Sequence, residues 1–263
     1  MSIVLGINTA HNGSVALISD GEVKSSIQAE RISRQKRQAL YLDQDIKLMQ
    51  NCVSYCLDAT GFHHSDIEAI GISTHKNIKK INNKDLFNLI GGVPEKYIET
   101  FYVPHHFSHM EYIAHFGNLE PGIILIIDGG GSPENDRSLF NVREKYHSKV
   151  IDYIQFGGKE VISAYWFDGQ KSLLIYRFSP SWLTFDKSNQ DGGLLGQSIG
   201  HYWEWASLYC CGSRDKAGKV MGLAAFGEKD QIDKEEILSI SDTGKVNVDY
   251  KRLKKNFKEP NIF

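Results

Sequence analysis

The chain has almost no net charge. Its 263 residues carry 30 lysines and arginines against 32 aspartates and glutamates, a formal charge of −2. That excludes the basic footprint of a nucleic-acid binder or of a domain held on an anionic membrane surface. Long apolar runs are also missing. None approaches the roughly 20 residues that span a bilayer, so no transmembrane helix is expected. The opening "MSIVLGINTAHNG" has neither a basic region nor a long apolar one, so no signal peptide is read. Prolines number six, and no Pro-rich linker, low-complexity tract or internal repeat is visible. Cysteine is equally scarce, at four. Cys52 and Cys56 lie four apart on an expected helix, and Cys210 and Cys211 are adjacent. Neither spacing fits a disulfide framework or a zinc site, so reduced thiols in a cytoplasmic protein are expected.

What is present suits one soluble globular domain, or two lobes of one, with ample core: 41% of residues are hydrophobic. Three strand-like runs open the chain, at Ile3 to Asn8, Ser14 to Ser19 and Val23 to Gln28. The second and third are joined by an Asp20-Gly21 hairpin turn. A basic loop, "ERISRQKRQ", follows. Asp43 to Thr60 reads as an amphipathic helix with Gly61 as its C-cap. "DIEAIGIS" returns as a strand, and "NIKKINNKD" is loop-like. Beyond residue 132, "KVIDYIQFG", "EVISAYWFDG" and "KSLLIYRFS" look like strands, with turns at Gly157-Gly158 and Asp168-Gly169. Gly193 to Cys211 reads as a helix carrying Trp203, Trp205 and Tyr209. "GKVMGLAAFG" is a Gly-bounded apolar segment, and a charged tail with a strand-like "KVNVDY" ends the chain. Three hairpin strands followed by helix, strand, helix and strand is the order of a ribonuclease-H-like, actin-type lobe. The fold class expected is α/β, with a mixed sheet, flanking helices and a β-rich insertion.

The chemistry concentrates in two adjacent segments. In "PHHFSHMEYIAHF" there is no Pro or Gly after Pro104 until Gly117, so a helix is predicted, and His105 and His109 share one of its faces. The next segment, Ile123 to Ile127, is a run of branched apolar residues. It is expected to be a strand buried on both sides. Asp128 stands at its C-terminal end, where open α/β sheets place their ligands. Two imidazoles and a carboxylate make a metal site with open positions, suited by residue type to Fe(II), Mn or Zn alike. His106 faces elsewhere on the helix and is read as structural or supporting, and His115 as an ordinary helix residue.

Other positions admit a plain reading beside a chemical one. Gly129, Gly130 and Gly131 after a strand let backbone approach a phosphate, or simply form a turn. Ser132 adds a hydroxyl. His11, Asn12, Gly13 and Ser14 form the loop between the first two strands, where amides converge. Lys36 lies in a basic loop whose Arg31, Arg34 and Arg37 are read as solvated. Met221 is expected in the core, as are Trp203, Trp205 and Tyr209, unless those aromatics line an acceptor pocket.

Four motifs in order carry a family resemblance: "GINTAHNGSVALISDGEV", "AERISRQKR", "HHFSH" with the Asp of "IIDGGG" nineteen residues after His109, and "GKVMGLAAFG". Together they span roughly residues 3 to 227. They resemble the N-terminal part of the O-carbamoyltransferases of antibiotic and nodulation-factor biosynthesis, itself similar to the actin-like tRNA threonylcarbamoyl-transferase fold. Asn12 stands where an acidic residue is common, and "LAAFG" replaces a more usual "LAPYG".

The resemblance implies a function and a cast of residues. A carbamoyl group would pass from carbamoyl adenylate, made from carbamoyl phosphate and ATP, to a hydroxyl of a small-molecule or sugar acceptor. His105, His109 and Asp128 would hold an iron-like divalent metal. His11 and Lys36 would be catalytic, and Asn12, Gly13, Ser14, Gly129, Gly130, Gly131, Lys219 and Gly222 would contact the nucleotide. It also implies a domain plan in which residues 1–132 form a first ribonuclease-H-like core, 133–192 a β-rich segment and 193–263 a helical segment with a charged tail. The family's second lobe, with a further metal-ligating Asp, and its carbamoyl-adenylate-forming domain are not expected within these residues. A separately encoded C-terminal half or a homodimer would then be the partner. The alternative is a non-catalytic metal- or nucleotide-binding module or a truncated paralogue.

Overall fold

Hydrophobic alternation at the start of the chain makes a sheet. In a computed structural model of the chain, which describes residues 2–74, 88, 90–92, 98–117, 119–132, 151–154, 159–179, 199–213, 216–227, 238–240 and 246–248, β1 (Ile3–Asn8) and β2 (Ser14–Ser19) each bury every second side chain. Ile3, Leu5, Ile7, Val15 and Leu17 point into one core. Asp20 and Gly21 turn the chain with φ of 52° and 81°, the left-handed pair that matches strand twist, and β3 (Glu22–Gln28) pairs back on β2. A short helix, α1 (Ala29–Ser33), follows.

The expected amphipathic helix is α2 (Ile46–Thr60). It ends as predicted, with Gly61 at φ 74° and its N–H donated to the Leu57 carbonyl. Met49, Cys52, Val53, Cys56 and Leu57 are its buried face, packed against β2 and β3. Each such side chain is worth roughly 1.5–3 kcal/mol relative to exposure, so the helix is held mainly by this face. β4 (Ala69–Thr74) runs parallel to β1, and β5 (Glu99–Pro104) parallel to β4. The five-stranded order is β3-β2-β1-β4-β5, the mixed α/β topology read from the sequence. Its parallel strands β1, β4 and β5 end on one edge. From that edge the chain enters α3 (His105–Phe116) directly. "NIKKINNKD" lies outside the described residues.

The chain divides into two compact units that part inside α3, between Ser108 and His109. In the second unit, β6 (Gly122–Ile127), β7 (Ile151–Ile154), β8 (Ile162–Phe167) and β9 (Ser172–Ser179) form a sheet in the order β6-β8-β9-β7. Gly169, at φ 99°, and the Asp168 carboxylate, which accepts from the Gln170 and Lys171 amides at 2.8 and 2.6 Å, close the β8–β9 turn. The Gly157-Gly158 turn falls outside the described residues.

One expectation is corrected here. Among the described residues β6 is an edge strand paired with β8, and it is not buried on both sides: Ile124 and Ile126 are buried, whereas Ile123, Leu125 and Ile127 are 64%, 55% and 45% exposed. An unbroken apolar run reports low polarity and does not say how many faces are covered.

Two helices follow, α4 (Ile199–Cys211) and α5 (Ala217–Ala224), packed on each other. Met221 is a second correction. It is 63% exposed on α5 and no part of the core. An eight-residue helix with one buried residue, Val220, has room for few inward positions. Residues 193–198 and the side chain of Trp205 lie outside the description, and Trp203 is 37% exposed. A hairpin of β10 (Leu238–Ile240) and β11 (Val246–Val248) completes the described elements.

Candidate metal and phosphate site

The loop after β1 is shaped by its own backbone. Asn8 accepts from the Ala10 amide at 3.1 Å and donates to the Asn12 carbonyl at 3.3 Å. Asn12 takes φ 60°, a left-handed conformation that Asn tolerates better than most residues. Gly13 is required by close approach. A Cβ there would stand 2.6 Å from Leu40 N and 2.9 Å from Ala39 C, whereas the Gly13 amide donates to the Gln38 carbonyl at 2.7 Å and the Gly13 carbonyl accepts from Ala29 at 2.8 Å.

The basic loop is thereby clasped to the His11 loop. Lys36, together with Arg31, Arg34 and Arg37, is exposed there, as is His11 itself. The two loops are joined by backbone bonds from Asn12 to Arg37 and from Gly13 to Gln38. Ser14 starts β2 beside a groove that Gln28, Arg31 and Tyr55 also line.

A polar chain ties this loop to the helix of histidines. The Thr9 amide and hydroxyl both donate to the Ser73 carbonyl, at 3.0 and 3.2 Å. Ser73 Oγ donates to Ser108 Oγ at 3.1 Å, and Ser108 Oγ donates to the His105 carbonyl at 2.7 Å. The ends of β1 and β4 are thus linked to the first turn of α3. Within that turn His105 is 8% exposed and His106 fully buried, the latter as its structural reading expects. His115 is an exposed helix residue whose Nδ1 lies 3.2 Å from the Glu111 carboxylate.

His105 and His109 are one turn apart on one continuous helix, and His109 and Asp128 belong to one unit. Among the described residues these three form a group that could hold a metal ion: one ligand atom from each lies within 4.8 Å of the others. The set runs from buried His105 through half-buried Asp128 to exposed His109, so a cation here would meet protein on one side and solvent on the other. Two borderline nitrogen donors and one hard oxygen donor, with positions left over, fit a first-row divalent ion.

After β6 the Gly129 amide donates back to Asp128 Oδ1 at 2.6 Å. The Gly131 amide donates to the Glu160 carbonyl at 2.5 Å, and the Glu160 amide to the Ser132 carbonyl at 3.1 Å. Two of the three glycine amides therefore already have protein acceptors. The turn rests on a buried ion pair, Glu160 with Arg177, at 3.5 Å. Lys219 and Gly222 are exposed on α5.

With this geometry in hand, the comparisons bear on the first part of the chain. Residues 3–119 match the family model described as carbamoyltransferase N-terminus. Over these residues the chain is similar to that family. A curated relative, nodulation protein NolNO of Sinorhizobium fredii, is 27% identical over 141 residues, which are 46% of this chain and 20% of the relative. The chain thus matches about a fifth of that relative's length. Among solved structures it is similar to YeaZ from Pseudomonas aeruginosa, with TM-score 0.34, 12% identity, and coverage of 66% of this chain and 64% of that one. It is also similar to a candidate N-acetylglucosamine kinase from Porphyromonas gingivalis, with TM-score 0.36, 13% identity, and coverage of 86% and 73%. The fold assignment rests on the strand order above and takes nothing from these two likenesses.

The carbamoyltransferase N-terminus match contains His11, Asn12, Gly13, Ser14, Lys36, His105 and His109. Asp128, Gly129, Gly130, Gly131, Lys219 and Gly222 lie beyond it. Sequence reasoning missed Ser73 and Ser108, whose hydroxyls join β4 to the helix, and the Glu160–Arg177 pair under the turn. It also missed Gly200 and Glu204. A Cβ on Gly200 would run into Gly129 N and Asp128 C. The only available signal was a glycine in an otherwise helical stretch, which often marks close backbone approach.

Proposed function

We propose that this chain carries the acceptor-side half of an O-carbamoyltransferase reaction. The observation that carries the reading is the carbamoyltransferase N-terminus match over residues 3–119, with the three metal donors brought within 4.8 Å. In this reading a divalent ion, iron by analogy with the family and Mn or Zn by donor chemistry, is held by His105, His109 and Asp128. When bound it neutralises phosphate charge on an adenylate.

The chain's own residues do the remaining work. His11, exposed on the loop after β1, takes the proton of the acceptor hydroxyl, as an imidazole near neutrality can. Lys36, on the clasped neighbouring loop, offsets negative charge as the bond between the carbamoyl carbon and the phosphate oxygen breaks. The acceptor oxygen bonds to the carbamoyl carbon, and AMP leaves with the bonding electron pair. Asn12, Gly13 and Ser14 shape a loop that receives the phosphate, and Gly129, Gly130 and Gly131 offer a second turn to the nucleotide. Lys219 and Gly222 approach the nucleotide from α5. Carbamoyl adenylate, carbamoyl phosphate and ATP, a small hydroxyl acceptor, a separately encoded C-terminal half or a second copy, and a cytoplasmic setting belong to this proposal. No helix among the described residues is long and apolar enough to cross a membrane.

The test is transfer of label from carbamoyl phosphate, with ATP and ferrous ion, to a hydroxyl acceptor panel. It is run with the chain alone and with candidate C-terminal halves. Label in an acceptor, lost in His11→Ala, supports the reading. A folded chain that binds metal and adenylate yet transfers nothing in any mixture supports the non-catalytic module instead.

A further inference from the structure

The first unit holds a groove to which no motif pointed. It lies where β2, β3, α1 and α2 meet, and its volume of about 770 Å³ falls within the ~300–1,000 Å³ of small-molecule sites. Every residue lining it belongs to the first unit. Ile27 and Ile32 supply apolar surface, and Ser14, Ser26, Gln28, Arg31 and Tyr55 supply polar groups. Among the described residues none of these five polar side chains is bonded to another. Tyr55 is 49% exposed, which leaves ring surface for a ligand to cover. The groove also begins beside the His11 loop. Ser14 is three residues from His11, a reach of at most ~11 Å along the chain. The Gly13 carbonyl accepts from the Ala29 amide at 2.8 Å, which fixes that loop to the start of α1.

Charge decides what such a groove accepts. Arg31 is the one charged residue that lines it, and no carboxylate does. The adjacent Glu30 is engaged elsewhere, its carboxylate accepting from the Arg37 amide at 3.0 Å. A cationic ligand would meet like charge without compensation. A carboxylate or phosphate would meet a planar guanidinium fork that matches its oxygens two at a time. The serine hydroxyls and the Gln28 amide both donate and accept, as the hydroxyls of a polyol require. The body of the Tyr55 ring offers apolar area to a saturated ring. We infer that this groove binds the hydroxyl acceptor, and that the acceptor carries a carboxylate or phosphate held by Arg31. The inference rests on the reading in which His11 takes the acceptor's proton, because the groove presents its occupant to that loop.

The test is calorimetric titration of the full chain, without metal or carbamoyl donor, with glucuronate, glucose 6-phosphate, glucose and glucosamine. At least one of the two acids is expected to bind ~10-fold or more tightly than glucose, the worth of a charged hydrogen bond, and glucosamine most weakly. Which acid binds better tells carboxylate from phosphate. Arg31→Met, at an exposed position, is expected to weaken the favoured acid by ~10–100-fold and glucose far less, and Arg31→Lys to restore part of the loss. Acids that bind no more tightly than glucose, no binding of any of the four, or Arg31→Met binding the acids as well as the unchanged chain does, each overturns the inference. These outcomes leave the catalytic reading standing, since label transfer tests that separately. Label transfer to a neutral acceptor that is lost in His11→Ala and undiminished in Arg31→Met also overturns the inference alone. Arg31-dependent binding of an acid by a chain that transfers no label in any mixture overturns the acceptor role together with the catalytic reading.

Discussion

The hydroxyl of Ser73 donates to that of Ser108 at 3.1 Å and so joins the C-terminal end of β4 to the first turn of the helix carrying His105 and His109. Ser108 passes the link on to the His105 carbonyl at 2.7 Å. Removing either hydroxyl should cost about 1 kcal/mol of stability, the usual net worth of one such bond. Because the two act as one chain, Ser73→Ala with Ser108→Ala should cost less than the sum of the singles. Urea denaturation of the four members of the cycle measures this, and strict additivity would show that the link carries no coupling.

Gly13→Ala should be disproportionately harmful for a single methyl. The added Cβ would meet backbone atoms of Ala39 and Leu40 at 2.6–2.9 Å, and backbone gives way less readily than a side-chain tip. Overpacking of this kind costs typically about 1–3 kcal/mol. The variant should also loosen the basic loop held by the Gly13–Gln38 bond, seen as faster proteolysis after Arg34, Lys36 or Arg37. A melting temperature equal to that of the unchanged chain would contradict it.

The Glu160–Arg177 pair, 2% and 5% exposed, should show the asymmetry of buried charges. Glu160→Gln or Arg177→Met alone leaves one charge without its partner and should cost about 3–5 kcal/mol. The double variant Glu160→Gln, Arg177→Met should be milder than the worse single. Denaturant midpoints of the three proteins decide it, and a double variant as unstable as the sum of both would show that the pair adds nothing as a pair.

Burial pushes the Cys52 thiol up to about 11, helped by the neighbouring Cys56, whose own thiol is also raised by burial. The folded state favours the protonated form. Its stabilising contribution is therefore whole below about pH 9, the ordinary thiol value, and is lost as pH rises through about 11. The urea midpoint should fall between those limits, and Cys52→Ala, less stable at pH 7, should show a shallower fall. Equal slopes for both proteins would assign the alkaline loss to other groups.

Much of the fold was legible because local chemistry and tertiary structure agree. Ile3, Leu5, Ile7, Val15 and Leu17 alternate because their sheet has one deeply buried face, and Asp20-Gly21 permits little but a tight turn. Gly61 stops α2 where its apolar stripe ends, and the His105–His109 spacing needed only a helix to put both side chains on one face. What stayed hidden depends on which surfaces meet. Ile123 to Ile127 carry the same residues whether one face or two are covered. Met221 looks internal until the eight-residue helix around it is seen to bury little besides Val220. Gly200 and Glu204 reach the Asp128 turn across more than seventy residues, and no spacing rule spans that distance. Hydroxyl links such as Ser73–Ser108 are equally silent, since serine is common in loops and strand ends for many reasons.

Of the four non-glycine residues with positive φ among those described, Asn12, Arg34 and Arg37 belong to the two clasped loops beside His11, and the fourth, Asp20, to a plain hairpin. Left-handed backbone is disfavoured for residues bearing a side chain, by of order 1 kcal/mol each. Glycine at Arg34 or Arg37 would relieve it. A laboratory selection for heat resistance alone would therefore find some of its easiest gains in these loops, and would erode them first. Thermal robustness and whatever the loops do are in competition at the same few codons.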